Sequence, residues 1–218
     1  LGNPYISIFF SFLFCFVFFE YEKLTSKILK KSQVFKILFL QLIFLFFTIL
    51  NIYKIEIFSL FFYNIIFLII AVFFNIIFLF YKKSNLINSF LSNLIIVSFF
   101  SLIVILQSPN GLYTILYAVI LVSTMDIFAY LGGKLLGKRK IIPSISKGKT
   151  IEGTFIGLAS TIFISYLIKD LMNFDVIYSL IYGFFIGILA FSGDLLESAF
   201  KRKIGVKDSG KLIPGHGG

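Results

Sequence analysis

Long apolar segments alternate with short polar ones along the whole chain. Within the apolar segments Phe, Ile and Leu follow one another continuously, without the polar alternation that strands of a membrane barrel need, so the pattern indicates helices. Most of the segments approach the roughly 20 residues that a helix needs to cross a lipid bilayer. We therefore predict an all-α fold, a polytopic membrane bundle of about seven transmembrane helices. The predicted spans are 4–19, 34–53, 57–80, 86–106, 112–133, 154–168 and 176–193.

Basic residues are sorted between the connections that join these spans. The chain has 20 Lys and Arg residues, and all of them except Lys54 and Lys169 fall in every second connection. Because Lys and Arg collect in cytoplasmic loops, we predict that these connections are cytoplasmic and that Leu1 lies on the outer side. A soluble protein has no reason to sort its charges in this way. The basic connections are 20–36, 81–85, 134–153 and 194–218.

The composition supports a lipid environment and narrows the chemistry. Hydrophobic residues make up 59% of the chain and charged residues 14%, against about 45–50% and about 25% in soluble domains. These values exclude a soluble domain, a disordered chain, collagen and a coiled coil. With one cysteine, Cys15, and one histidine, His216, the chain can form neither an intrachain disulfide nor a Cys/His zinc site. Any bound metal is therefore expected to be a hard cation on oxygen ligands.

One acidic residue, Asp126, falls inside a predicted span, about two turns before its cytoplasmic end. An ionisable side chain at that depth is costly unless it faces the interior of the bundle or a wet cavity, which favours a functional role. The alternative is an Asp that pairs with a neighbouring Lys only to hold helices together.

The connection after this span, residues 132–153, carries six basic residues from Lys134 to Lys149 and no acidic residue among them. Such a segment can simply anchor the protein to anionic lipid headgroups. The interleaved Gly, Ser and Thr residues and Pro143 favour a phosphate cradle instead, because backbone amides and hydroxyls complement the Lys charges there. A true P-loop is not predicted, since Pro143 replaces the first glycine and a membrane helix, not a strand, precedes it.

The last segment, residues 192–218, is the densest in chemically useful groups. On a helix, Asp194, Glu197 and Ser198 share one face, because they are spaced i, i+3 and i+4. Carboxylates and a hydroxyl beside a basic cluster suit Mg²⁺ and phosphate, whereas the simpler interpretation is an exposed helix with ordinary ion pairs. The Pro-Gly-His-Gly-Gly run around His216 favours a site, because its glycines let the backbone approach an anion closely.

At these residues the chain resembles the phosphatidate cytidylyltransferase family, also called CDP-diacylglycerol synthase. The family signature begins S-x-x-K-R-x-x-x-x-K-D and continues to P-G-H-G-G. Asp-Ile-Phe-Ala-Tyr-Leu-Gly-Gly before the basic connection and Lys-Thr-Ile-Glu-Gly after it also fit, although the family's S-P-K-K-T is here Ser-Lys-Gly-Lys-Thr. The residues in register with the signature are Ser198, Lys201, Arg202, Lys207, Asp208, Pro214, Gly215, His216, Gly217 and Gly218.

The resemblance implies an Mg²⁺-dependent nucleotidyltransferase that moves CMP from CTP to phosphatidic acid, giving CDP-diacylglycerol and pyrophosphate for phospholipid biosynthesis. It implies Asp194 and the first Asp of a downstream Asp-Arg-x-Asp as metal ligands, and it allows a second cation near Asp208. We expect Glu197, which shares a helix face with Asp194, to be a further metal ligand. The residues that the resemblance assigns to catalysis are Asp194, Lys201, Arg202, Lys207, Asp208 and His216. The residues that it assigns to substrate binding are Asp126, Ser146, Lys149, Thr150, Glu152, Ser198, Gly215 and Gly217.

The resemblance also sets expectations for partners, location and domain limits. It implies contact with CTP, phosphatidic acid and membrane lipids, no nucleic acid, a homodimer, and an active site on the cytoplasmic face of a bacterial inner membrane. We expect one membrane-embedded domain over 1–218, cut short at both ends, with active-site segments 134–153 and 194–218. Because the family's downstream Asp-Arg-x-Asp is not in the chain, we expect these residues alone to be inactive.

The sequence is also compatible with two alternative functions. In the first, the acceptor is another lipid phosphate, such as an isoprenoid-based one, because apolar helices do not discriminate between lipid tails. In the second, the chain is a transporter or channel and Asp126 marks a pathway through the membrane. The position of the acidic and basic clusters at one surface favours an enzyme over a transporter.

Overall fold

The computed structural model describes residues 4–26, 86–108, 110–146 and 148–206, and the single residues 42, 69 and 73. These residues form five α-helices and one short 3₁₀ helix, and no strand beyond an isolated bridge, which confirms the predicted helical class for this part of the chain. The predicted spans at 34–53 and 57–80 lie outside the described residues except for the three single positions. The helices are α1 (Pro4–Ser26), α2 (Leu86–Gln107), α3 (Gly111–Leu136), α4 (Ile151–Leu167) and α5 (Val176–Ile204), with the 3₁₀ helix at Lys169–Met172.

Helix α5 continues well beyond the apolar segment predicted from the sequence, which ends at 193. Its last turn carries Lys201, Arg202 and Lys203, whose positive charges favour the negative end of the helix dipole. Gly205 then ends the helix with φ of 82°, a left-handed conformation that glycine adopts without a steric penalty. Asp194, Glu197, Lys201, Arg202 and Lys203 therefore stand on the same continuous helix as the apolar segment.

The chain divides into two compact units, Leu1–Gly111 and Leu112–Gly218. In the first unit α1 packs against α2. Its core contains Phe14, Phe18 and Ile96, each at most 1% exposed, and the rings of Phe14 and Phe99 meet edge to face with centroids 5.5 Å apart. Aromatic packing of this kind stabilises a helix pair beyond the area that it buries.

The second unit holds the rest of α3 together with α4 and α5, which approach one another through small residues. A Cβ added at Gly153 would lie 2.5 Å from the carbonyl oxygen of Ala129 on α3, and one added at Gly183 would lie 2.6 Å from Cβ of Ser165. Small residues spaced four apart let helix backbones come this close, as is common between membrane helices. The buried small residues are Gly153, Gly157, Thr161 and Ser165 on α4 and Ser179, Gly183 and Gly187 on α5.

A buried hydrogen-bonded cluster links the three helices at one end of this unit. The hydroxyl of Tyr117, which is 1% exposed, donates to the carbonyl of Ser165 at 2.9 Å and lies 2.8 Å from its Oγ. That Oγ donates to the carbonyl of Ser179 at 2.5 Å. The Tyr117 ring also meets the rings of Phe174 and Tyr182. The cluster therefore fixes α3, α4 and α5 relative to one another.

Among the described residues, two helices are long and apolar enough to cross a membrane, α3 and α5. Only 22% and 17% of their most apolar windows are buried, unlike the central helix of a soluble protein. Their outward-facing apolar surface suggests a membrane protein.

Candidate active site

The connection between α3 and α4, residues 137–150, is folded back on itself, and we call it the basic loop. Lys140 and Thr150 form an antiparallel bridge. On either side of the bridge, the Ile141 amide donates to the Lys149 carbonyl at 3.2 Å and the Ile151 amide donates to the Arg139 carbonyl at 2.9 Å. The two ends of the loop, at Ile141 and Lys149, thus lie side by side where the loop meets the start of α4.

Glu152 fastens the base of this loop. Its carboxylate accepts from the amide of Lys138 at 3.0 Å and from the amide of Arg139 at 3.2 and 3.3 Å. Its own backbone N–H, followed by those of Lys138 and Arg139, holds the pKa of Glu152 below its usual range. Glu152 does not line the cavity that lies beside the loop and is described below. The structure therefore gives this residue a supporting contact and leaves its predicted substrate contact a prediction.

Thr150 begins α4 and lies directly against α3. Its backbone is extended, with φ of −122° and ψ of 153°, and its Oγ1 accepts from the amide of Gly153 at 3.2 Å, which makes it the N-cap. A Cβ added at Gly133 would lie 3.0 Å from this Oγ1, and one at Gly137 would lie 2.7 Å from it. The glycines of α3 and the loop therefore leave room for the cap, and the N-terminal end of α4 is brought against the cytoplasmic end of α3 predicted above.

A cavity of about 360 Å³ lies beside the basic loop, between α3, the start of α4 and the second half of α5. It brings together five of the predicted site residues: Asp126, Ser146, Lys149, Thr150 and Asp194. The other described residues that line it are Met125, Ala129, Tyr130, Gly133, Lys134, Gly148, Thr154 and Phe191.

The charged centre of the cavity is formed by Lys149 and Asp194. The Lys149 Nζ lies 2.5 Å from Asp194 Oδ2, and it stands 5.1 Å from the centre of the Phe191 ring. The Lys149 side chain is 18% exposed and that of Asp194 is 49% exposed. The ammonium is thus enclosed by protein, whereas half of the carboxylate faces open space. Asp126 faces the same cavity from α3 and interacts electrostatically with both charges.

The polar end of α5 beyond Asp194 has other contacts. Glu197 pairs with Lys201 at 2.8 Å one turn along the helix. Arg202 donates from Nε to the carbonyl of Ile145 at 3.3 Å, and so ties the end of α5 to the tip of the basic loop. Of the described side chains, those of Glu197, Ser198, Lys201 and Arg202 stand outside the cavity lining. Their predicted roles in metal binding, substrate binding and catalysis remain predictions.

The remaining predicted site residues follow α5 in the chain. They are Lys207, Asp208, Gly215, His216 and Gly217, which lie outside the described residues.

Several lining residues were not predicted, although helix periodicity points to some of them. Tyr130 and Lys134 are one and two turns after Asp126, so they share its face of α3. Phe191 precedes Asp194 by one turn of α5 in the same way. The contact between Phe191 and the Lys149 ammonium joins distant parts of the sequence, and no local pattern indicates it.

Comparison with known proteins places these residues in a family context. A sequence model described as the cytidylyltransferase family matches residues 1–218, the whole chain. The chain is 44% identical over 110 residues to an Escherichia coli protein named "Uncharacterized protein YnbB", a match that covers 50% of this chain and 37% of that protein. It is 44% identical over 111 residues to a phosphatidate cytidylyltransferase of Staphylococcus aureus, covering 50% of this chain and 43% of that protein. A phosphatidate cytidylyltransferase of Staphylococcus haemolyticus is 42% identical over 111 residues. The chain thus spans less than half the length of these relatives.

Proposed function

The chain belongs to the cytidylyltransferase family, and from this we propose that the protein transfers CMP from CTP to phosphatidic acid, giving CDP-diacylglycerol and pyrophosphate. The relatives named phosphatidate cytidylyltransferase support this choice of acceptor. The observation that carries the proposal is the cavity in which Asp126, Lys149 and Asp194 converge with the hydroxyl groups of Ser146 and Thr150.

The proposed reaction needs charge control more than a strong base. A phosphate oxygen of the lipid attacks the α-phosphorus of CTP, a new P–O bond forms, and the bond from the α-phosphorus to the bridging oxygen breaks as pyrophosphate leaves. The lipid phosphate is already an anionic nucleophile. The protein must therefore align two anions and stabilise the charge on the leaving pyrophosphate.

The residues of the basic loop and of α4 suit this task. Lys149 supplies a positive charge inside the cavity, and Ser146 and Thr150 supply hydroxyl groups beside it. The N-terminal end of α4 adds amide N–H groups and the positive end of a helix dipole, which favour bound phosphate. We propose that these groups bind the triphosphate of CTP, and that Asp126 positions the substrates from the α3 side.

The cavity also suits a divalent cation of the kind that the family generally requires. Among the described residues there is no group of three or more His, Cys, Asp or Glu side chains that could hold a metal ion. Mg²⁺ does not need one, because it is usually bound by one or two carboxylates together with substrate phosphates and water. We propose that Asp194 holds Mg²⁺, with Asp126 across the cavity and with Glu197, one turn along α5, as a further ligand. When bound, Mg²⁺ neutralises phosphate charge and polarises the reacting phosphorus.

We further propose the membrane setting that the sequence predicts. About seven helices span a bacterial inner membrane, both units belong to one cytidylyltransferase domain over 1–218, and the cavity opens to the cytoplasm. The sorting of Lys and Arg between the connections supports this orientation. Membrane lipids surround the apolar helices, and a homodimer is the assembly that the family resemblance implies.

The substitution Asp194→Asn, made in the complete protein that carries the family's downstream Asp-Arg-x-Asp, tests the assignment of this cavity. It keeps the size of the side chain and removes the charge, so we expect incorporation of labelled CTP into lipid to fall by at least about 100-fold. Asp170→Asn is the matched control, because Asp170 lies on the 3₁₀ helix and pairs with Lys169 outside the cavity. We expect the control to keep normal incorporation. An Asp194→Asn protein that incorporates CTP as fast as the control would refute the assignment.

A further inference from the structure

The Lys149 ammonium occupies a defined position on the Asp194 carboxylate. Its Nζ is 2.5 Å from Oδ2, and this buried nitrogen has no other hydrogen-bond acceptor among the described residues. Within the described part of the chain, a single charged contact therefore holds the ammonium, and no network of several hydrogen bonds does. Such a pair can separate without leaving several bonds unmade.

Neighbouring groups hold the ammonium at this position from both ends of the side chain. At the backbone, the Lys149 carbonyl accepts a hydrogen bond from the Ile141 amide, which fixes the C-terminal end of the basic loop. At the tip, the Phe191 ring lies 5.1 Å from the ammonium, within reach of a cation–π interaction. Phe191 is one turn from Asp194 on α5, so the ring and the carboxylate together form a binding position for one positive charge.

A divalent cation and an ammonium cannot occupy this binding position at the same time. Mg²⁺ binds carboxylate oxygens at about 2.0–2.1 Å and carries ordered water around it, which requires the space next to the oxygen. Two positive charges within a few Å also repel strongly in a partly buried site. The cation can bind Asp194 fully only when Lys149 has moved away.

Resting on the proposed function, we infer that Lys149 competes with the divalent cation for Asp194 and gives up the carboxylate when a nucleoside triphosphate enters the cavity. A triphosphate offers the ammonium several negative oxygens in place of one carboxylate. The flexible lysine stem lets the charge move without moving the loop. The cation therefore binds tightly together with the nucleotide and weakly alone. This arrangement keeps the protein from retaining a free metal ion in an empty cavity.

Binding of Mn²⁺ without nucleotide tests this inference independently of activity. Mn²⁺ alone is titrated into the purified protein in detergent micelles, and free Mn²⁺ is followed by electron paramagnetic resonance. We expect Lys149→Met to bind Mn²⁺ at least about tenfold more tightly than the unchanged protein, because the competing charge is gone. Lys149→Arg keeps a competing charge, and we expect it to bind Mn²⁺ as weakly as the unchanged protein.

Two controls separate competition from a general change of charge. Lys134→Met removes a positive charge from the same cavity lining, and we expect it to change Mn²⁺ binding by less than about twofold because exposed charges are screened. In the double variant Lys149→Met with Asp194→Asn, the gain should disappear, since the carboxylate that holds the cation is gone. If Lys149→Met does not fold, Lys149→Gln serves as the neutral variant.

The outcomes distinguish this inference from the proposed function. Equal Mn²⁺ binding in the unchanged protein and in the neutral Lys149 variant overturns the competition, even if the protein transfers CMP to phosphatidic acid. A gain of equal size in Lys134→Met also overturns it, because the effect is then a general one of charge. A gain confined to the neutral Lys149 variant supports the competition even if the acceptor lipid proves to be a different one.

Discussion

The two ends of the α3–α5 bundle hold polar side chains in opposite ways. At one end, the neutral groups of Tyr117, Ser165 and Ser179 bond to one another and are buried. At the other end, charged side chains converge on a cavity of about 360 Å³. By the helical rise, the cavity lies about 13 Å from the cluster along α3, from Tyr117 to Asp126, and about 22 Å along α5, from Ser179 to Asp194. Satisfied neutral groups stabilise a structure, whereas charges gathered beside open space can bind a ligand. Substitutions at the first end should therefore change stability, and those at the second should change activity.

After Asp194→Asn, removing the charge of Asp126 is expected to have the largest effect. In Asp126→Asn we expect kcat/KM for CTP to fall by about 100-fold, because a carboxylate that faces the reacting groups is replaced by a neutral amide. The melting temperature should stay within about 4 °C of that of the unchanged protein. Asp126 is exposed, so we expect the free energy of unfolding to change by about 1 kcal/mol or less, which shifts the melting temperature of a protein of this size by no more than about 4 °C. Incorporation of labelled CTP and thermal unfolding in detergent measure the two effects. Normal turnover in this variant would mean that the charged end is structural, like the other.

A substitution at Gly153 is expected to affect both stability and activity, because Gly153 lies in the contact between α3 and α4 that positions the site. In Gly153→Val the new side chain would meet the Ala129 carbonyl and push α3 away from α4. We expect a loss of about 1–3 kcal/mol in the free energy of unfolding, together with reduced turnover, because the Thr150 cap and the cavity wall shift as well. Gly193→Ala is the control, since a Cβ there meets no atom within 4 Å. A control as unstable as Gly153→Val would show that packing at Gly153 is not the cause.

The hydrogen-bonded end gives a smaller effect of the opposite kind. Tyr117→Phe removes the hydroxyl that donates to Ser165 and keeps the aromatic ring. We expect a loss of about 1 kcal/mol in the free energy of unfolding and unchanged kcat/KM. Chemical denaturation and the CTP assay on the same preparation measure both. A large loss of turnover with unchanged stability would contradict the stabilising role assigned to this end of the bundle.

The acidic residues of the cavity can be predicted from the sequence, because they stand on long apolar helices. Asp126 is an acidic residue inside a predicted span, and Asp194 follows directly on the end of another. What the sequence does not indicate is which charges meet. Lys149 and Asp194 are far apart in the chain, and their pairing depends on the close approach of helices through Gly153, Gly157 and Gly187. The tie from Arg202 to the Ile145 carbonyl is equally invisible, since it uses a backbone group.

The smallest expected effect concerns pH and the base of the basic loop. Because the pKa of Glu152 is held below its usual range by backbone N–H groups, its ionised form favours the folded loop. This contribution is present above the ordinary pKa of a glutamic acid, about 4.3, and is lost as the pH falls through the lower pKa of the folded state. We expect proteolysis within 137–150 to accelerate in that acid range in the unchanged protein. Glu152→Gln should show faster cleavage at neutral pH and little further change on acidification, and a variant that tracks the unchanged protein at every pH would contradict this role.

Pyrophosphate release in lipid vesicles by the complete protein, which carries the family's downstream Asp-Arg-x-Asp, tests the central claim most directly. With a divalent cation present, CTP and phosphatidic acid are supplied separately and together, and pyrophosphate is measured beside CDP-diacylglycerol. We predict release only when both substrates are present, with one CDP-diacylglycerol formed for each pyrophosphate. Release from CTP without phosphatidic acid, or no release with both, would contradict the assignment of this cavity to CMP transfer.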